Sequence, residues 1–522
     1  MEEVVEVFAE PPTSTAIGRI NHHHPHQTSA IAKIQKQYLQ TITVVPERPM
    51  NGHDNNSTIV HGQRQSYSEG GSEHDSEGEG ELNPQDAWLP ITESRKGNAY
   101  TSALHLLCSG IGIQALLLPV AFAALGWFWG ILCLFMAFLW QLYTIWLLIH
   151  LHESVPGTRL SRYLHLSIAA FGQKLGKLLG IFPVMYLSGA TCVMLIITGG
   201  GTMEQFYKIM CGNEATCSAK ALSGAEWYLV FIFLAIFVAL FCPNLNSLAG
   251  ISLIGAITAV SYCTIIWVLS ISKNKPDGVS YEPSKVAVSE MDRIRSILNA
   301  IGIIALAFRG HNVVLEIQGT MPSSAKHPCH EPMWRAVTIS YLLIPLFLFP
   351  LAIGGYWAYG NTIADGGILR AFSKFHGHNT PRFVIGMIYL IILINCLCTF
   401  QIFAMPVFDN LEFRYTSKKK KRCPRWLRSG FRVFFGGLTF FISVALPFLG
   451  SLAALLGGIT LPLTFAYPCF MWIAIKKPRT NGTMWWLNLV LGCLGIVLSI
   501  LLVVAAVWSL VNKGLDANFF KP

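Results

Sequence analysis

Ionisable and amide side chains crowd one stretch of an otherwise apolar run: Ala307-Phe308-Arg309-Gly310-His311-Asn312-Val313-Val314-Leu315-Glu316-Ile317-Gln318-Gly319. Imidazole titrates near physiological pH, so His311 is a candidate for taking up and releasing a proton. Glu316 is a second candidate. Arg309 is a third charge, two helical turns from Glu316 if the stretch is helical, and open to pairing with it or with another segment. A charge near the middle of a bilayer costs ~2.5–3.5 kcal/mol on insertion scales. A lone buried His is often only a packed, hydrogen-bonded group, but a cluster of this density points to a binding or coupling site.

A second unusual stretch, Ser109-Gly110-Ile111-Gly112, lies near the middle of the first long apolar run. Glycine weakens a helix. Unwound backbone at mid-depth is tolerated only where it is buried in protein or lines a cavity. Its freed N–H groups and the N-terminus of the next half-helix then attract an anion such as a carboxylate. Close helix packing explains the same glycines equally well when they stand alone. Their pairing with the His311 region favours the site.

Other chemistries find no support. The sequence contains no H-E-x-x-H, no G-x-S-x-G and no G-x-x-x-x-G-K-[ST]. Gly110 to Ala115 matches G-x-G-x-x-A, but it sits inside an apolar run, with no preceding strand and no following ribose-binding acid. The expectation is a chain that is not an enzyme and carries no cofactor and no metal. The thirteen cysteines are scattered without a C-x-x-C pair, so no zinc or thioredoxin-like framework follows.

The elements that position these residues are apolar helices. Hydrophobic residues make up 52% of the 522, charged residues only 13%, and mean hydropathy is +0.47. A soluble chain carries about 25% charge, so a bilayer accommodates this composition better than a soluble core. Runs long enough to cross ~30 Å as helices occur near 101–124, 126–150, 180–205, 225–242, 245–271, 297–319, 336–359, 382–405, 431–449, 452–475 and 484–511. The predicted fold is an all-α polytopic membrane protein with about eleven transmembrane helices. The Gly-interrupted first and sixth runs occupy corresponding positions of a five-plus-five arrangement, the sequence pointer to a transporter site built from inverted repeats. The eleventh run stands outside that repeat.

Charge orients the bundle. With the N-terminus inside, the inner connections carry seventeen Lys and Arg and the outer ones, with the C-terminal tail, eleven. The dense run Arg414 to Arg428 largely decides this bias, which favours a cytoplasmic N-terminus. The net charge of +10 therefore reads as a membrane anchor, and nucleic acid is not an expected partner. Residues 1–95, rich in His, Ser, Gly, Glu and Pro, read as a disordered cytoplasmic tail. Residues 96–511 read as the transmembrane domain and 512–522 as a short C-terminal tail. The tail cluster His22-His23-His24-Pro25-His26 reads as a bland surface tract. Cys211 and Cys217 fall on an outer loop, where the oxidising exterior permits a disulfide and two free thiols are the alternative.

The stretch Phe308 to Pro322 closely resembles the sixth-span signature of the plant lysine/histidine transporter-like permeases, within the amino acid/auxin permease family. The resemblance continues through Trp334-Arg335, Leu125-Gly126-Trp127 and Gly450 to Phe470, and covers roughly residues 90 to 515. It implies a fold of the leucine-transporter type and proton-driven amino acid uptake, usually at the plasma membrane, with an endomembrane as the alternative. On that reading, backbone at Ser109, Gly110, Ile111 and Gly112 takes the substrate carboxylate. Gly310, His311 and Asn312 line the side facing its amino group and side chain. Asn395 and Thr399 in the eighth span would face the first, where related folds hold a coupling cation. Two departures stand out. Gln114 occupies a position where the family usually has glycine, and Arg309 one where a small or apolar residue is usual. The partners expected are an amino acid, a proton and the lipid bilayer. The alternatives are an auxin or other organic-acid carrier of the same fold, and a membrane receptor that senses amino acids without moving them.

Overall fold

A computed structural model describes residues 86–155, 158–211, 222–282, 289–308, 310–324, 326–363, 366–447, 453–513 and 520. The side chains of Asp86, Phe182, Pro183, His311, Asn312, Asn512 and Lys513 lie outside that description.

Residues in regular structure are almost entirely helical. Among the described residues, nine helices are long and apolar enough to cross a membrane. The first of them, Ala99–Leu151, runs for 53 residues, well beyond the ~20 that one crossing needs. It folds back at Gly126, whose φ of 72° is a conformation open mainly to glycine. It therefore supplies two crossings. The pair Glu290–Ala307 and His311–Gly319 supplies one more, too interrupted to register as a single long helix. The total is the eleven that hydropathy predicts. Many large apolar side chains, among them Phe233, Leu342 and Phe383, face outward, as a lipid-covered surface requires.

Local chemistry starts and joins these helices. Asn98 caps the first span: its Oδ1 accepts the Thr101 N–H at 2.9 Å, and Thr101 Oγ1 accepts the Asn98 N–H at 3.0 Å. Gly302 and Gly457 let the sixth span lie directly on the tenth, since a Cβ on Gly457 would clash with the Gly302 carbonyl. Gly255 likewise lets the fifth span press against Cys108 of the first and Cys398 of the eighth. Small residues at crossings are how helices approach closely without a hydrophobic drive between them.

Three boundaries differ from the hydropathy reading. The eighth helix extends to Lys419, taking in the start of the basic run that looked like loop. Two short helices, Tyr163–Phe171 and Gly367–His376, join spans whose connections carried no helix in the sequence reading. The third difference lies at the end of the expected tail. Residues 1–85 are outside the described residues, but residues 88–94 form a strap packed on the bundle. Leu89 and Ile91 are buried, and the Ile91 N–H donates to Asp409 Oδ1 at 3.3 Å. This short segment packs on the bundle because it has both apolar anchors and a backbone partner.

Candidate functional site

The first and sixth spans break where their glycines fall. Helix Ala99–Gly110 stops at Ile111, and a 3-10 turn resumes at Ile113. Gly112 between them is extended, at φ −91° and ψ 166°. The Ile111 N–H still donates to Leu107 O, and the Ala115 N–H donates to Gly112 O. The N–H groups of Gly112, Ile113 and Gln114 lie between these two bonds, at the opening of the second half-helix. In the sixth span, Gly310 has φ 135°, which L side chains rarely adopt, and half-helix His311–Gly319 begins there.

The two breaks meet. A Cβ built on Gly310 would stand 3.9 Å from the Ser109 carbonyl oxygen. Ser109 and Gln114 are each only 3% exposed, so both are buried beside the juncture. Among the described residues, Gln114 Nε2 has no hydrogen-bond partner, a costly state for a buried amide nitrogen. Gly110 has a packing duty as well, because a Cβ there would meet Ile344 Cδ1 of the seventh span at 2.8 Å.

Sequence reasoning missed the residue that holds this juncture together. Gln141 of the second span donates through Nε2 to the Phe308 carbonyl at 2.8 Å. It thereby satisfies a carbonyl that the broken sixth helix leaves without its usual partner. A polar residue inside an apolar run was the available signal, the same signal that drew attention to Gln318. Gln318 Nε2 in turn donates to the Ile149 carbonyl at 3.2 Å.

The remaining expected residues divide. Thr399 does face the first span, its hydroxyl 3.5 Å from the Cys108 carbonyl. Asn395 turns instead to the fifth, donating through Nδ2 to Gly255 O at 2.9 Å, and its Oδ1 has no hydrogen-bond partner among the described residues. His311 and Asn312 open the half-helix that starts at the break. Arg309 is outside the described residues, so its pairing with Glu316 is as well. Glu316 lies six residues beyond Gly310, roughly 9 Å along the helix. It is buried, and its charged neighbours are Asp409 and Arg162. Glu316 thus groups with the clamp described next more closely than with the break.

That clamp gathers charges which sequence alone treats as loop charges. Arg162 Nε contacts Asp409 Oδ2 at 2.5 Å and its Nη2 reaches Oδ1 at 3.2 Å. Arg162 also donates to Thr92 Oγ1 of the strap at 3.2 Å. Nearby, Arg428 pairs with Glu412 at 2.9 Å and with Glu93 of the strap at 3.2 Å. The strap and the loop-side ends of the eighth and ninth helices are thereby fastened together on the face that bears the basic run. On the opposite face, Cys211 is disulfide-bonded; Cys217 lies outside the described residues.

Comparisons with known proteins agree on a class. Residues 95–512 match the family model for "transmembrane amino acid transporter protein". The chain is 56% identical over 441 residues to lysine histidine transporter-like 8 of Arabidopsis thaliana, covering 84% of each chain. It is 50% identical over 449 residues to lysine histidine transporter-like 7 of the same plant, covering 85% of this chain and 92% of that one. These relatives are transporters and not enzymes. Among solved structures, a similar chain is that of MhsT in complex with L-phenylalanine, at 12% identity and a TM-score of 0.49, covering 78% of this chain and 98% of that one.

Proposed function

The chain belongs to the transmembrane amino acid transporter family, and from that premise we propose that it carries amino acids across the membrane by proton symport with alternating access. The observation that supports this most is the meeting of the two helix breaks, with Gly310 against the Ser109 carbonyl and a buried Gln114 Nε2 that has no partner among the described residues. In this reading the substrate carboxylate takes the N–H groups at Gly112 and the following half-helix. Gly310, His311 and Asn312 face its amino group and side chain. Helix ends carry partial charges of opposite sign, so backbone at two broken helices can receive both ends of a zwitterion.

His311 takes the coupling proton, since its imidazole is the group at the break whose ordinary titration lies nearest neutrality. Glu316, beside Arg162 and Asp409, passes protonation of the half-helix on to the clamp. Arg309 balances charge near the break. The Thr399 hydroxyl and Cys108 carbonyl, with Asn395, hold the first, fifth and eighth spans in register where a cation would otherwise sit. The basic face is cytoplasmic, the disulfide of Cys211 is closed with Cys217 outside, and the membrane is the plasma membrane.

The test is uptake of a labelled amino acid panel into proteoliposomes, with and without an inward proton gradient. Gradient-stimulated accumulation of at least one amino acid is the expected result. Binding without uptake of any member would replace the symporter with a sensing receptor. Uptake of an organic acid lacking an amino group, and of no amino acid, would make it an acid carrier.

A further inference from the structure

Three metal-ligating side chains converge on the basic face, away from the helix breaks. His152 follows the second span, Glu153 is its neighbour, and Cys329 caps the start of the seventh-span helix. Cys329 Sγ lies 3.6 Å from His152 Nδ1 and 3.1 Å from Glu153 Oε1. His152 Nδ1 lies 4.0 Å from the same carboxylate oxygen. A tetrahedral zinc ion with bonds of ~2.0–2.3 Å separates its ligand atoms by roughly 3.3–3.6 Å. The two edges at sulfur already lie within about half an ångström of a coordination face, and the His152–Glu153 edge must shorten by about 0.7 Å.

We propose that His152, Glu153 and Cys329 form a binding site for a zinc-class divalent cation, with the fourth position open to water. A thiolate, an imidazole and one carboxylate are the donors such a borderline-soft ion prefers, and they would serve magnesium or calcium poorly. The imidazole is prepared for the task. With Nε2–H donating to Ser161 Oγ at 3.2 Å, Nδ1 turns its lone pair toward the sulfur, an outer hydrogen bond of the kind that orients metal-binding histidines. The thiolate is the form that ligates, so binding displaces the Cys329 thiol proton. The balance is one thiol plus one dication giving a metal thiolate and one proton released to solvent.

One feature opposes the cation and defines how it binds. Arg159 Nε sits 3.3 Å from Glu153 Oε1 and must give up that oxygen. Its Nη2 is also held by the Met321 carbonyl at 2.8 Å, so the guanidinium keeps a partner when it does. Glu153 is the partly exposed member, and it is the one free to adjust its distances. His152 and Cys329 are fully buried, which fixes two ligands in place. A bound ion would staple the end of the second span to the start of the seventh. It would therefore restrain any cycle in which those ends move apart.

The experiment uses the full-length protein in nanodiscs, without a histidine tag, and with His22, His23, His24 and His26 changed to alanine so that the tail contributes no ligands. Cobalt titration should saturate near one equivalent and give a near-ultraviolet thiolate-to-cobalt band, with about one proton released per ion. Zinc should abolish the band. Cys329→Ser should remove the band, and His152→Ala and Glu153→Gln should each weaken zinc binding at least tenfold in a chelator competition. A wild-type titration with no thiolate band overturns the proposal without any variant. So does a band that survives Cys329→Ser, or zinc affinity unchanged in both His152→Ala and Glu153→Gln. Size-exclusion profiles identify a variant that fails to fold, in which case Glu153→Gln, the most exposed position, carries the test.

Discussion

The helix breaks and the clamp on the basic face are both polar regions of an apolar bundle, but they treat polarity in opposite ways. At the clamp each principal charge has a counter-charge: Arg162 with Asp409, and Arg428 with Glu412 and Glu93. At the breaks, Gln114 Nε2 and, across the bundle, Asn395 Oδ1 are buried with no hydrogen-bond partner among the described residues. The clamp pairs resist rearrangement through charge rather than through full hydrogen bonding, since Glu412 Oε1 and Oε2 and Arg428 Nε make no hydrogen bond among the described residues. Leaving buried groups unpaired costs ~1–3 kcal/mol each, and such a cost is tolerated where a ligand supplies what is missing. The comparison separates polar residues that hold the molecule together from those that await something.

The clamp should give the largest effects if this division is right. Asp409→Ala strands the Arg162 guanidinium in a buried position, and breaking one partner of such a pair typically costs about 3–5 kcal/mol. We expect a marked fall in thermal stability of the detergent-solubilised protein, with uptake lost alongside. Arg162→Ala combined with Asp409→Ala should recover part of that stability, because no charge is then left unpaired. If the single variant unfolds at the wild-type temperature, the clamp is ornamental and the contrast fails.

Gly310→Ala should strike the breaks instead. At φ 135° an alanine is strained by roughly 1–3 kcal/mol, and the half-helix must turn to relieve it. The expected signature is uptake reduced at least tenfold, with a smaller loss of stability than Asp409→Ala produces. Equal damage to both quantities would show that the sixth-span break is a structural fixture like the clamp.

The sequence makes this contrast only half legible, for a physical reason. Hydropathy and glycine placement reveal the eleven crossings and both breaks, because each is encoded in a short stretch of chain. The clamp is encoded in pairs 247 residues apart, such as Arg162 with Asp409. Taken singly, Arg162 and Arg428 look like ordinary loop-side charges, and Glu93 looks like part of a polar tail. Gln141 escaped notice although it stands alone in an apolar run, because its meaning depends on a carbonyl in another helix. Glu316 was assigned with His311 by proximity along the chain, whereas the fold sets its charged neighbours on the clamp side.

His311→Ala sharpens the comparison at a single titratable group. It should leave folding and thermal stability close to wild type and remove the pH dependence of uptake, measured as initial rate across pH 5 to 8. An unchanged pH profile would move the coupling role away from the break, and Glu316→Gln would then be the variant to read. Loss of pH dependence in Glu316→Gln alone would tie coupling to the clamp.

The smallest effect on stability, and the most specific on function, belongs to Gln114→Gly. Removing the side chain relieves a buried amide nitrogen that has no hydrogen-bond partner among the described residues, a gain on the order of 1 kcal/mol or more. Glycine at the start of a helical turn gives back up to ~1 kcal/mol. The two nearly cancel, so the melting temperature should hardly move. The space and the lost donor, however, lie beside the break. We expect the substrate panel to broaden or shift, with individual amino acids changing rank several-fold in competition uptake. An unaltered panel would mean that the Gln114 amide is not awaiting a ligand. In that case an unpartnered atom would cease to mark the part of this bundle that binds.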